Sequence, residues 1–385
     1  MKKIFAAALC VILLVCSLTA FAACDKPGTL YGELDMSLRE GTLYGLYWYG
    51  DDIDDCVVSK ENLDVRYYDP EKPTLIYSHG WKTESEDKEI FKTLADTYSA
   101  TNGASGRVDY VAELKALGYN VAFWDWYEYA HTLGKLQNEI WTVKSLDEAG
   151  REGTNYYNAI EALDGRTIAG EFVRSVCAVM KHATNKEVIF VGHSFGGQVV
   201  TAAAYTLYKL ADAGYINENI IPDRISLADP YIPGTVLSGK MDLIGEETGV
   251  ETAMMDANAF EYLNSKGAVI DLNGAMVGMT YEMYKGTIKD ADTVALIDGK
   301  IKENTVYVIQ QGLTNAYGTV GKIHVISRDY ILTSIIEGKK GNMENCVPNS
   351  SMTSAQLKAF VGREFNLVCE GFNISGATME EIIVD

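Results

Sequence analysis

Basic residues, histidines, paired cysteines and membrane-length apolar runs are all scarce in this chain of 385 residues. Lys and Arg number 33 against 53 Asp and Glu, a formal net charge of −20 at pH 7. A surface this acidic repels phosphate backbones and anionic headgroups, which excludes nucleic-acid binding through a basic patch. The 7 cysteines form no C-x-x-C pair and no zinc spacing, so no metal site is expected. Internal repeats, coiled-coil heptads and low-complexity tracts are absent, which excludes solenoids and fibrous arrangements. Only 5 histidines are present, at 79, 131, 182, 193 and 324. That small number matters below.

The start of the chain has the layout of a secretory leader. Lys2 and Lys3 precede an apolar run over residues 4–15, too short for a membrane span, and small residues follow at Ala20, Ala22 and Ala23. Phe21-Ala22-Ala23-Cys24 resembles a bacterial lipobox, in which Cys24 becomes the lipid-bearing first residue. The alternative is plain cleavage after an A-x-A site. Either way the sequence predicts an exported bacterial protein, a cell-surface lipoprotein or a secreted one, with residues 1–23 removed. Without Lys2 and Lys3 the net charge is −22.

The expected organisation is a tether over 24–45, one catalytic domain over 46–335 and a C-terminal extension over 336–385. Cys346 and Cys369 share that extension and form a candidate disulfide, which an exported protein permits. Cys177, in an apolar helical stretch, is expected to be a buried thiol. Strands are expected at 62–68, 74–78, 120–124, 187–191, 224–228 and 304–310, the last of these closing the central sheet. Helices are expected at 111–117, 167–183 and 198–210. Strands alternating with helices imply a mainly parallel sheet covered on both faces. Two long stretches fall outside that rhythm, 127–165 and 232–300, and read as insertions that cover or line a pocket. Asp51, Asp52, Asp54 and Asp55 lack the spacing of a calcium loop and read as a solvated acidic turn. The sequons at Asn349 and Asn373 carry no meaning behind a bacterial leader.

Gly192-His193-Ser194-Phe195-Gly196-Gly197 carries the chemistry. It follows an apolar strand and opens an apolar helix, the context in which G-x-S-x-G forms a nucleophile elbow, with Ser194 on a strained turn and its hydroxyl projecting from the sheet edge. A serine hydroxyl needs a base. Only His324 follows the serine, and in a fold that orders its triad Ser, acid, His along the chain it is the available base. The acid must lie between them at a strand end. Asp229, before Pro230, is expected to be held extended at the sheet's C-terminal edge, with Asp292 and Asp298 as the other choices. The apolar stretch 74–78 leads into His79-Gly80-Trp81, a loop suited to supplying an oxyanion donor. The donors would be the backbone N–H groups of Trp81 and Phe195, with His79 supporting the loop.

Taken together these motifs resemble the pancreatic-type lipase family of α/β-hydrolases over roughly residues 60–335. The resemblance is carried by His79-Gly80-Trp81, by the apolar stretch 120–126 ending in Asp125-Trp126, by Gly192 to Gly196, by Leu227-Ala228-Asp229-Pro230 and by His324 with Ser327, Arg328 and Tyr330. It implies Asp229 as the acid and a lid within the Asp229–His324 interval. The segment 249–266, with Val250, Met254, Phe260 and Leu263 among acidic residues, is expected to be either a lid helix or a packed insertion helix that does not move. The chain departs from the family in having Phe195 in place of leucine, no cysteines around the lid or beside His324, and too few residues after the histidine for a β-sandwich. The expected function is a serine carboxylic-ester hydrolase acting on acyl lipids, with no cofactor and no obligate protein partner. The alternatives are an esterase of acylated carbohydrates and a non-catalytic surface binding protein on the same fold.

Overall fold

The computed structural model describes residues 34, 36–38, 44–58, 63–81, 94–99, 105–130, 136–143, 166–275, 280–311, 327–328, 331–332, 335–336, 353–368 and 378–382. Its strands in chain order are β1 (Gly45–Tyr49), β2 (Cys56–Val58), β3 (Thr74–Ser78), β4 (Ala95–Ser99), β5 (Ser105–Asp109), β6 (Asn120–Asp125), β7 (Thr142–Val143), β8 (Val188–His193), β9 (Arg224–Ala228), β10 (Lys240–Met241), β11 (Val269–Ala275), β12 (Val306–Gln311), β13 (Glu364–Val368) and β14 (Thr378–Ile382). The main helices are α1 (Tyr110–Ala116), α2 (Ile168–Met180), α3 (Phe195–Asp212), α4 (Thr252–Ser265) and α5 (Ala291–Asn304).

Ten strands form one sheet in the order β14-β13-β12-β11-β9-β8-β3-β6-β1-β2. The run from β6 to β13 is parallel, and β1, β2 and β14 close the two edges antiparallel. Alternation along each strand sends side chains to opposite faces. Ile76, Ala122, Trp124, Phe190, Ile225 and Leu272 join the core beneath α2, α3 and α4. Leu75, Tyr77, Val121, Phe123 and Val191 join the core that also holds residues of α1 and Ile331, Leu332, Ile335 and Ile336. Both faces are buried, which is why the central strands read as continuous apolar runs. The protein has the α/β-hydrolase fold.

Several sequence expectations change. Of the strand expected at 62–68, the described residues 63–68 form none: Asp64 folds the chain into a turn, its carboxylate accepting from the Arg66 N–H and its carbonyl from the Tyr67 and Tyr68 N–H groups. The strand at 304–310 is β12, and it does not close the sheet. Beyond it, β13 and β14 from the 336–385 extension add to the same sheet.

The 232–300 stretch is in part the body of the fold. It contains β11, a fully buried strand between β9 and β12, and α4, which packs against α3. The α4 face against the core is built from Ala253, Ala257, Phe260 and Leu263, each no more than 1% exposed. Small alanines allow close helix contact, so of the two readings of this segment the packed helix is the one found. Val250, expected on its apolar face, lies outside it and is exposed. Among the described residues no helix is long and apolar enough to cross a membrane.

Candidate active site

The parallel strands end together at one edge, and β3, β8 and β9 bring the site residues there. In the register, Ser78 stands opposite Gly192 and His193 opposite Ala228. Ser194, the next residue after β8, has φ 56° and ψ −124° and caps α3. This conformation costs a residue with a Cβ about 1–3 kcal/mol and persists only where the surroundings impose it. They do so through close backbone contacts. A Cβ on Gly192 would lie 2.5 Å from the Gly196 carbonyl oxygen, and one on Gly196 would lie 2.3 Å from the Ser78 oxygen. Strand, helix and the end of β3 therefore meet backbone to backbone, and Ser194 is turned out of the sheet. Phe195 is the first residue of α3, so its N–H has no intrahelical acceptor and lies at the positive end of the helix.

The β3 loop lies directly on the serine. A Cβ on Gly80 would be 2.6 Å from Ser194 Cβ and 3.2 Å from Ser194 Oγ. His79, fully buried, organises this loop. Its Nδ1 lies 2.7 Å from the Gly80 carbonyl, and its Nε2 accepts from the Trp126 N–H at 3.1 Å. That pattern assigns the neutral tautomer with the proton on Nδ1. Asp125 Oδ1 lies 3.6 Å from Nε2, but with that nitrogen acting as an acceptor the contact is no ion pair. The ring stacks on Phe123 and Trp126, and the Trp126 indole N–H donates to the His79 carbonyl. Trp81, next along the loop, is 38% exposed.

Asp229 follows β9 and is completely buried. The expected extended conformation is not found: its φ is 41°. Aspartate tolerates the left-handed region better than most residues, and local bonds hold it there. The Asp229 N–H donates to the Asn273 carbonyl at 2.7 Å, continuing the β9–β11 ladder, and Oδ1 accepts from the Ala275 N–H at 3.1 Å. The carboxyl lies just past the end of β9, but not by the route the proline argument gave. Of the three described non-glycine residues at positive φ, two, Ser194 and Asp229, end neighbouring strands. Backbone strain of this kind clusters at active sites.

The acid turn is fastened to the elbow. The Ser194 N–H donates to the Ala228 carbonyl at 3.1 Å, and the Tyr231 N–H donates to the Ser194 carbonyl at 3.0 Å. The Tyr231 ring stacks on Phe195 at 4.3 Å, and a Cβ on Gly197 would touch Pro230. Tyr231 and Gln198 were legible only by position, two residues past the acid and one turn past the serine. The sequence reading assigns neither.

The alternative acids lie elsewhere. Asp298 accepts from the Tyr284 hydroxyl and pairs with Lys285 and Lys302; desolvation raises its pKa, but the hydrogen bonds from Lys285 and Tyr284, with the two lysine charges, bring it below the usual value. Asp292 lies in the exposed first turn of α5. His324, Cys24, Cys346 and Cys369 lie outside the described residues, as does Tyr330; Ser327 and Arg328, just past His324, are buried. Cys177 is partly buried, and desolvation pushes its thiol up to about 12. Among the described residues no group of carboxylates, histidines and cysteines could hold a metal ion. A cavity of about 440 Å³ lined by Trp141, Tyr205, Glu246, Val250 and Met255 does not include Ser194.

No family model and no curated protein matches the chain. Among solved structures it is similar to an inhibited esterase B from Lactobacillus rhamnosis, 12% identical, over 88% of this chain and 98% of that one, with a TM-score of 0.32. It is also similar to a thioesterase domain from the curacin biosynthetic pathway, 11% identical over 76% and 98%, with a TM-score of 0.31. Est1E from Butyrivibrio proteoclasticus is 12% identical over 69% and 89%, with a TM-score of 0.26. These likenesses are distant and say nothing of what this chain acts on.

Proposed function

We propose that the chain is an exported serine carboxylic-ester hydrolase in which Ser194 is the nucleophile, Asp229 the acid and His324 the base. The observation that carries this reading is the pairing of two strained residues, Ser194 and Asp229, at the ends of β8 and β9 with Gly80 packed on the serine. In the proposed reaction His324 takes the Ser194 proton as Oγ attacks the ester carbonyl, and Asp229 orients the imidazole and stabilises its charged form. The N–H groups of Phe195 and Trp81 hold the oxyanion while the alcohol leaves with the proton from His324. Water, deprotonated by His324, then attacks the acyl-enzyme and releases the acid.

An acyl group with an apolar chain is the proposed substrate part. Exposed Trp81 on the β3 loop and the Tyr231–Phe195 stack beside the elbow support this choice. Lipid attachment at Cys24 would hold the enzyme at the cell surface. The test is a rate comparison across p-nitrophenyl butyrate, emulsified long-chain triglyceride and an acetylated sugar. Faster turnover of the acyl-chain esters is expected, with smooth saturation through the triglyceride's solubility limit, because α4 belongs to the fold's body. Preference for the acetylated sugar would overturn the acyl-lipid assignment, and no turnover of any ester would overturn the hydrolase assignment.

A further inference from the structure

One buried amide joins the nucleophile to three separate segments. Gln198 lies one turn beyond Ser194 on α3 and is 1% exposed. Its Oε1 accepts from the Trp141 indole N–H at 2.9 Å. Its Nε2 donates to the Tyr231 carbonyl at 2.6 Å and to Asp256 Oδ2 at 3.2 Å. A side-chain amide has two N–H donors and one carbonyl, so each N–H has an acceptor and the carbonyl a donor. Through Tyr231 this bonding reaches the acid. Tyr231 is held to α3 at both ends, its N–H by the Ser194 carbonyl and its C=O by Gln198. The turn thus clamped begins at Asp229.

We propose that Gln198 is a positioning residue: it sets the turn bearing Asp229 at a fixed distance from Ser194, with Asp256 as the acceptor that keeps its amide aimed. The proposal rests on the ester-hydrolase reading. Asp256 suits the role because it is 1% exposed and bonds no basic side chain among the described residues. Desolvation raises its pKa well above the usual carboxylate value, which favours the neutral form in the core. A neutral acceptor aims the amide without placing an uncompensated charge next to the acid turn. An apolar side chain would fill the same space under the turn and leave the Tyr231 carbonyl and the Trp141 N–H buried without partners.

The experiment compares Gln198→Met, Asp256→Leu and Asp256→Asn in the full mature protein, measuring kcat and KM on p-nitrophenyl butyrate, Tm, and labelling by a fluorophosphonate. A misplacement of about 1 Å in a catalytic constellation costs on the order of 100-fold in rate. Gln198→Met is therefore expected to lower kcat roughly 10- to 100-fold with KM changed less than about threefold. Asp256→Leu should lose kcat in the same way, and Asp256→Asn, whose amide oxygen accepts the same bond, should recover most of it. If Gln198→Met does not fold, the two Asp256 variants decide the matter. Retention of kcat in Gln198→Met or Asp256→Leu, a loss confined to KM, or no recovery in Asp256→Asn overturns the positioning role. Wild-type protein that neither turns over the ester nor takes the label is a different failure, that of the hydrolase reading itself.

Discussion

Replacing Gly80 with alanine tests how closely the proposed oxyanion loop rests on Ser194, the proposed nucleophile. The added methyl would stand 2.6 Å from Ser194 Cβ and 2.9 Å from the His193 carbonyl oxygen, where ordinary contact begins at 3.4 Å. The loop and the elbow must separate by about 0.8 Å, the difference between those distances. An oxyanion donor works within about 2.7–3.1 Å of the developing charge, so a shift of this size removes the contribution of the Trp81 N–H. Losing one such donor lowers kcat about 10²- to 10³-fold, or roughly 2.7–4 kcal/mol of transition-state stabilisation. Overpacking costs the fold about 1–3 kcal/mol, which a domain of this size survives. Steady-state kinetics on p-nitrophenyl butyrate, with Tm measured alongside, should show a large fall in kcat and a folded protein. A Gly80→Ala enzyme with kcat within threefold of wild type would refute the placement of the loop.

Asp229→Asn should lower kcat by roughly 10⁴-fold with the fold intact, because the base loses its orienting partner, whereas Asp298→Asn should leave kcat near wild type. Loss of turnover in the latter alone would move the acid toward α5. Gly299→Ala, where the added methyl meets nothing within 4 Å inside α5, should raise stability by about 0.5–1 kcal/mol in urea unfolding without changing activity. A destabilised variant would contradict that helix environment. The folded-state pKa of Asp256 is raised above the unfolded one, so the native state binds the extra proton and wild-type stability falls as pH rises above the ordinary carboxylate range. Asp256→Asn lacks this penalty: its Tm should match wild type near pH 4 and exceed it at pH 7, and a gap that narrowed with rising pH would contradict the sign.

Legibility followed the kind of residue that carried each element. The segments forming β3, β6, β8 and β9 were readable because both faces of these strands are buried and apolar, and the elbow because its glycines have one geometric purpose. β11 was hidden by Asp271 and Asn273, polar residues in a strand whose every position is buried. The Asp271 carboxylate pairs with Arg224 on the neighbouring strand and accepts from Ser226, partners 47 and 45 residues away that periodicity cannot supply. α4 was ambiguous for a related reason: Phe260 and Leu263 marked its buried face, but Ala253 and Ala257, which complete it, are weak in any hydrophobic pattern. β1 went unassigned because Leu46 and Trp48 sit next to a stretch read as tether, though both are buried in the core. At the candidate site, Ser194 and Asp229 were named from chain order and motif. The backbone at Asp229 was not, since the rule for a residue before proline gives way to the ladder bond with Asn273 and the bond from Ala275. Gln198 carries no motif, and its role emerges only when Trp141, Tyr231 and Asp256 are brought together by the fold.

The central claim, that Ser194 is the nucleophile, is tested most directly by intact-protein and peptide mass measurement after treatment with a fluorophosphonate. One adduct per chain, on the peptide containing Ser194 and absent from Ser194→Ala, is the predicted result. A wild-type protein that takes no adduct, or a Ser194→Ala variant that takes it as readily, would contradict the account.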